Sequence, residues 1–427
     1  MPIYTVLRDL SSPVTAGPFE LAPSAGTRAA TPDAAPAEPR IDREELNKRE
    51  VQSLVRDPAV LAVARVMPTR LVEPLSSARE VTPAWGIRAV GADRSTRTGA
   101  GVVPCVLDTG IDASHPAFTG VSLLQEDFSG SGNGDQQGHG THCAGTVFGR
   151  DVDSTRIGVA PGVSQALIGK VLGDDGRGDS DMLFRGMQWA VQNGAHVISM
   201  SLGFDFPGLV QRLVDDHGWK IDMATSAALE AYRANLRMFD ALMQLIARRE
   251  AFGLGTVVVA AAGNESERHV DPSHEISVSL PAAAEGVLSV GALGQDTDGL
   301  VIAPFSNTFP LLSAPGVDVL SARAGGGLLS LSGTSMATPH VAGVTTLWWE
   351  EVLASAVPPS VAAVTAKLLA MCTTAGIVAA VDVADRGLGL VQAPLSAAVP
   401  RRTSGLDVPT QAQVAPGRRA VATSTGG

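Results

Sequence analysis

The sequence predicts an α/β fold: a mostly parallel central sheet with helices on both faces, preceded by a small α+β domain. Three observations carry this. From about Trp85 onward, short unbroken apolar runs alternate with stretches of helical periodicity. The runs are apolar throughout rather than at every second residue, as in strands buried on both faces. The first 82 residues have a different texture, with a strand, a helix and a strand around a Pro/Ala-rich insert.

Taken in order, Ile3-Tyr4-Thr5-Val6-Leu7 reads as a strand. Residues 11–40 are rich in Pro, Ala, Ser and Gly and read as a linker or mobile loop. Leu46, Val51, Leu54 and Val55 suit one face of a helix that Asp57-Pro58 would end, and Val60 to Met67 reads as a second strand. Residues 83–400 then hold the main domain. Val102–Leu107, Ala166–Leu172, His196–Leu202 and Thr256–Ala262 are its expected buried strands. Helices are expected over Met182–Gln192, over Thr225–Glu250, where Leu229, Tyr232, Leu236, Phe239, Leu242 and Ile246 recur every third or fourth residue, and over Ser360–Cys372. The polar, Gly/Pro-rich stretch 401–427 reads as a disordered tail.

Composition narrows the function. With 427 residues, 45 % hydrophobic and 18 % charged, most of the chain is expected to be globular. A formal charge of −11 argues against nucleic acid or an anionic membrane as partner. Three cysteines, Cys105, Cys143 and Cys372, are too few for a disulfide framework and read as free thiols. The opening MPIYTVLRDLSSPVTAG lacks the basic and apolar regions of a secretory leader, and no run of 18 apolar residues occurs. The expectation is a cytoplasmic protein.

Four residues stand where chemistry would need them. Asp108 follows a buried strand and opens the turn DTGID; in open parallel sheets, active groups gather at the carboxyl ends of strands. His139 sits between glycines in GDQQGHGTHCAG at an expected helix start, uncrowded enough to serve as a general base. His142, three residues on, would share its helix face, but no further carboxylate at ligand spacing makes the pair a metal site. Ser335 in LSGTSMATPHVAG would begin a helix, its backbone N–H aimed at a developing negative charge. Asn264 ends TVVVAAAGNES, just past another strand. Taken singly, each fits a cap or turn as well as catalysis.

Together, in the order Asp, His, Asn, Ser, they make a pattern. The segments VLDTGIDASHPAF, GHGTHCAGTV, ISMSLG, VVVAAAGNES and GTSMATPHVAG closely resemble the motifs of subtilisin-like serine peptidases, over about residues 83–398. The resemblance implies a serine endopeptidase that needs no cofactor for its chemistry and acts on protein or peptide substrates. Ser335 would be the nucleophile, His139 its base and Asp108 the group that orients His139; Asn264 and the Ser335 N–H would form the oxyanion hole. Loss of the Asn264 donor is expected to lower turnover by on the order of 10²–10³, the size known for this family. Gly176, Arg177 and Gly178 would form one wall for an extended substrate, Ser201, Leu202 and Gly203 the opposite wall, with Ala262 and Gly263 beside them. Asp174, Asp175, Asp179 and Asp181, with Glu265, suggest tolerance of basic side chains near the cleaved bond.

The resemblance also implies that the N-terminal domain is an inhibitory propeptide acting in cis, with Leu71–Ser77 in the substrate groove, so that the enzyme is made as a zymogen. Cys143 stands where some members carry a thiol close to the catalytic histidine. There are departures. Ala117 and Val152 replace an Asp and an Asn that commonly bind a structural calcium, leaving only Asp151 and Asp153 as weak candidates for that metal. The stretch 204–250 is longer than in the simplest members. The alternatives are a subtilase-type peptide ligase, for which Phe204–Trp219 would have to shield the site from water, and a catalytically silent binding protein.

Overall fold

A strand that is apolar at every position must bury both faces, and alternation decides which core each side chain enters. Pro104–Asp108 is such a strand: Val106 joins the apolar core on one side of the sheet, Cys105 and Leu107 the core on the other. Val257–Ala261 divides likewise, with Val257 and Val259 on the first side and Val258 and Ala260 on the second. The computed structural model of the chain describes residues 1–9, 39–76, 85–250 and 255–395. Of the linker expected over 11–40, residues 11–38 lie outside these residues and Arg40 belongs to a strand instead; the tail over 401–427 and the domain boundary near residue 82 also lie outside them.

Among the described residues the main sheet has eight strands. Gly299–Ile302, Val287–Asp296, Val257–Ala261, Val197–Met200, Pro104–Asp108, Gln165–Lys170 and Ser122–Asp127 follow one another across it, and Leu312–Pro315 also pairs with Val287–Asp296. All are parallel except Gly299–Ile302, which returns as a hairpin on Val287–Asp296. Helices His139–Phe148 and Thr334–Leu353 cover the first face; Ser180–Gln192 and Ile221–Arg249 cover the second. The α/β architecture expected from the sequence is the one observed. No helix among the described residues is long and apolar enough to cross a membrane.

Several bounds differ for identifiable reasons. The run read as one strand over His196–Leu202 is two: Val197–Met200 stays in the main sheet, and Leu202–Phe204 pairs elsewhere. The helix read from Met182 starts at Ser180, because the Asp179 side chain accepts the Met182 N–H. The long helix begins at Ile221, and the last one runs Val361–Ala370.

The N-terminal residues form a three-stranded antiparallel sheet in the order Arg40–Glu45, Ile3–Arg8, Val60–Arg65. Arg40–Glu45 escaped the sequence reading because Ile41 is its only apolar residue. It is held as an edge strand by its ladder and by Arg8, whose guanidinium meets Asp42 at 2.5 Å and Glu44 at 2.7 Å. Helix Lys48–Leu54 is closed by a capping box between Asn47 and Glu50. Leu46 and Val55 fall outside it, and Val55 is exposed, so the four-residue apolar face expected there does not form.

This small sheet shares the second core. Leu7, Ala64, Met67 and Leu71 are buried with residues of the Ser180–Gln192 and Ile221–Arg249 helices. Full burial of Leu7 and of Met67 is worth about 1.5–3 kcal/mol each relative to exposure. Polar contacts fix the seat: Asn235 Nδ2 donates to Arg65 O (2.8 Å), Thr5 Oγ1 to Asp181 Oδ1 (3.2 Å) and Arg43 Nη1 to Asp179 Oδ2 (2.7 Å). The long segment after Phe204 thereby acquires a packing role. Its first helix, Phe206–Asp215, buries Leu209, Val210 and Leu213 in the same core.

Candidate active site

Asp108 is the last residue of its strand and only 1 % exposed. The turn after it needs Gly110 (φ 109°), and it passes so close to the helix carrying His139 that a Cβ on Gly140 would lie 2.2 Å from the Gly110 carbonyl oxygen. His139 opens that helix. Its Nδ1 lies 2.8 Å from Asp108 Oδ1, which also accepts the Thr109 N–H at 2.8 Å. Burial alone would push the imidazole pKa down; the adjacent Asp108 carboxylate outweighs it, and the net shift is well above the ordinary histidine value.

Asp135 went unnoticed in the sequence. Buried, it accepts from Thr109 Oγ1 (2.8 Å), the Gly138 N–H (2.8 Å) and the Thr141 N–H and Oγ1 (2.8 and 2.6 Å). It thus ties the turn after Asp108 to the helix start that carries His139. An acid four residues before His139 in GDQQGHG was the available signal.

Ser335 lies in the first turn of Thr334–Leu353, where an N–H has no carbonyl one turn back. Its Oγ is 2.9 Å from Val72 O and 3.4 Å from Ser201 O. His139 Nε2 is buried without a hydrogen-bond partner among the described residues. Asn264 faces the same place. Its Oδ1 accepts the Thr334 N–H and Oγ1 (both 2.9 Å), which turns Nδ2 outward to donate to Glu73 O at 3.0 Å. Asn307, a second residue missed in the sequence, anchors this loop: its Oδ1 accepts the Glu265 and Ser266 N–H groups (3.1 Å each), and its Nδ2 donates to Ala262 O (3.1 Å) and Glu265 Oε2 (2.8 Å).

The expected walls are present and occupied. Pro68–Leu71 is the middle strand of an antiparallel sheet between Leu202–Phe204 and Arg177–Asp179. Leu71 pairs with Leu202, Arg70 with Gly203 and Arg177, and Thr69 with Gly178; the Leu71 N–H donates to Gly176 O at 2.9 Å. Further on, Leu75–Ser76 pairs with the strand Leu328–Ser332 just before Ser335. Ser201 lies between the main sheet and the wall and donates from Oγ to Ser335 O (3.1 Å). Ala262 and Gly263 stand behind the site: Ala262 binds Ser279 and Asn307, and the Gly263 N–H donates to Thr334 Oγ1 (3.2 Å).

The acidic cluster is not what its composition suggested. Asp174 meets the buried Lys170 at 2.5 Å, Asp175 accepts the Arg177 N–H, Asp179 caps a helix and binds Arg43, and Asp181 is fully buried against Arg185 and Thr5. These carboxylates are engaged within the protein. Glu265 is different: with Asp205 it flanks Arg70 of the groove strand, at 3.6 and 3.9 Å.

For calcium the fit is poor. Ala117 and Val152 are buried and offer no side-chain oxygen, while Asp151 and Asp153 are exposed. The one set of three His, Cys, Asp or Glu donors gathered among the described residues is Asp108, His139 and Cys143. All three cysteines are free. Cys143 Sγ lies 3.7 Å from His139 Nδ1, and burial pushes its pKa up, which keeps it a thiol.

His142 is structural: Nε2 donates to Val319 O and Leu329 O (3.1 Å each), and burial lowers its pKa to about 3. His340 is lowered to about 4, also by burial. Both are neutral in the fold and would charge on unfolding. Their contribution is complete above the unfolded value near 6.5 and is lost as pH falls through about 4 and 3. His139, shifted upward, acts in the opposite sense, stabilising below that value and losing this as pH rises. Urea midpoints of a Ser335→Ala chain, which cannot digest itself, are expected to fall steeply below pH 6, and His142→Gln is expected to flatten that fall.

An imidazole gripped by a buried carboxylate, beside a serine at a helix start and an amide aimed at a carbonyl, is the equipment of a serine hydrolase. Comparison with known proteins agrees. The profile of the subtilase family, Peptidase_S8, matches residues 99–387. The thermostable alkaline protease of Halalkalibacterium halodurans is 33 % identical over 311 residues, covering 71 % of this chain and 70 % of that protein. Subtilisin BL of Lederbergia lenta is 35 % identical over 269 residues (62 % and 82 %), and subtilisin-like protease 6 of Trichophyton rubrum 34 % over 284 residues (61 % and 57 %). The chain belongs to the subtilase family and is a subtilisin-like serine endopeptidase. The chemistry of that family needs no cofactor.

Proposed function

We propose that this endopeptidase works through a Ser335 acyl-enzyme and is held latent by its own N-terminal domain. Ser335 Oγ attacks the substrate carbonyl carbon, His139 Nε2 takes the proton and passes it to the leaving amine, and Asp108 stabilises the charged imidazole. Asn264 Nδ2 and the Ser335 N–H receive the oxyanion. The observation that carries the latency is the strand Pro68–Leu71, which occupies both walls as a substrate would and leads directly to Ser335. The domain's shared core and its contacts with Asp179, Asp181 and Asn235 support it as an inhibitor in cis rather than a passive appendage. A peptide ligase is not favoured, because the segment after Phe204 is accounted for by its packing on the second core.

Limited trypsin treatment of the wild-type chain tests this: caseinolytic activity is expected to rise and Ser335 to become reactive to a fluorophosphonate. No gain in either would refute the proposal. A finer reading follows from Arg70. Its place against Glu265 and Asp205 supports a preference for a basic side chain two residues before the residue whose carbonyl meets Ser335. The pair is half exposed, so the effect is modest. In the activated enzyme, Glu265→Gln is expected to lower kcat/KM for peptides with Arg there by about 2–5-fold and to leave Ala peptides unchanged.

A further inference from the structure

Resting on the latent-endopeptidase reading, we infer that the groove segment carries one residue too many to be cut where it lies, so the N-terminal domain resists removal by its own chain's Ser335. Two halves of the segment are anchored independently. On one side Leu71 pairs with Leu202 and donates to Gly176 O, which brings Val72 O to 2.9 Å from Ser335 Oγ. On the other side Leu75 pairs with Ser332, and Asn264 Nδ2 holds Glu73 O at 3.0 Å. The serine and the oxyanion donor therefore meet consecutive carbonyls.

Acyl transfer needs both at one. The oxygen that becomes the oxyanion must belong to the carbon that Oγ attacks. In addition, Ser335 Oγ lies at hydrogen-bond distance from Val72 O while His139 Nε2 stands without a partner, so the base does not hold the proton it must take. Neither neighbouring bond is ready. Val72–Glu73 has its carbonyl off the Asn264 donor. Glu73–Pro74 has the carbonyl on that donor, but its leaving nitrogen is closed into a proline ring. Three residues, Val72, Glu73 and Pro74, lie between the anchors Leu71 and Leu75; with two, a single carbonyl would face both groups.

Deleting Pro74 is the direct test. The two registers then merge on Val72. Ser335 Oγ adds to the Val72 carbonyl carbon while its proton passes to His139 Nε2; the Val72–Glu73 C–N bond breaks and the Glu73 amine leaves with that proton. Water then hydrolyses the ester to a Val72 carboxylate. Full-length chains are incubated alone, and new N-termini are mapped by mass spectrometry over time. The Pro74 deletion is expected to release a chain beginning at Glu73 at least on the order of 100-fold faster than the wild type, since a misplacement of even about 1 Å at a reacting centre can cost that much. Pro74→Ala, which keeps the extra residue, is expected to stay slow.

Deleting Glu73 while also making Pro74→Ala restores the shorter spacing by another route and is expected to cut after Val72 as well; it carries the test if the first deletion fails to fold. Wild type and deletions cutting at equal rates, or Pro74→Ala cutting as fast as the deletions, would overturn the inference. The trypsin-treated wild type separates this from the parent reading. If it hydrolyses casein while the deletions stay uncut, only the register argument fails; if it never gains activity, the endopeptidase reading fails too.

Discussion

Ser335→Ala is expected to abolish both caseinolysis by the activated enzyme and any new N-terminus made by the chain on itself. The loss in kcat should be on the order of 10⁶-fold, the size known for removal of this nucleophile in subtilisin. The argument is local. Ser335 is fully buried in the occupied groove, at a helix start pinned by Thr334 N–H to Asn264 and Ser201 Oγ to Ser335 O. Replacing its hydroxyl by hydrogen removes 1 oxygen and disturbs little else. Thermal unfolding should therefore change slightly while turnover vanishes. Appreciable casein hydrolysis by the alanine chain would show that another group carries the reaction.

The second large effect is expected at Asp108. Asp108→Asn keeps the shape but places an amide against His139 Nδ1, now 2.8 Å from a carboxylate oxygen. An asparagine that presents its NH₂ there favours the tautomer with Nε2 protonated, and that nitrogen can no longer take the Ser335 proton. The Asp108 charge, the largest influence raising the His139 pKa against burial, is lost as well, so the imidazole pKa should fall. Together these predict about a 10⁴-fold loss in kcat at neutral pH with KM little changed. A pH–rate profile separates this from misfolding, because residual activity should grow at high pH, where hydroxide can take the Ser335 proton that Nε2 no longer accepts. An Asp108→Asn enzyme retaining a tenth or more of wild-type turnover would contradict the assignment.

Much of the fold was legible because its strands are buried on both sides. Runs such as VVPCVL and TVVVAAA have no polar position to place toward water, and a sheet covered by helices is the only setting that suits them. The candidate site was legible because the segments around Asp108, His139, Asn264 and Ser335 resemble, in the same order, the motifs of one family; singly, each residue fits a cap or turn as well. Arg40–Glu45 was not legible, since an edge strand made of charges takes its conformation from its neighbours' ladder. Asp135 left only a faint local signal, an acid four residues before His139, and Asn307 left none, since it acts on backbone that only the fold brings near.

By itself, the sequence determined the α/β class, because apolar pattern suffices for that; the candidate catalytic residues and the expectation of a self-occupied groove rest on the resemblance of its motifs to one family. Tertiary structure alone decided three matters. It assigned Asp174, Asp179 and Asp181 to the protein's own lysine and arginines and left Glu265 to face the groove strand. It gave the long helix Ile221–Arg249 a purpose as part of the seat for the N-terminal sheet. It set the register of Leu71 against Leu75, and so which carbonyl meets Ser335 and which meets Asn264. All three depend on distances between segments remote in the chain, and no local preference encodes those.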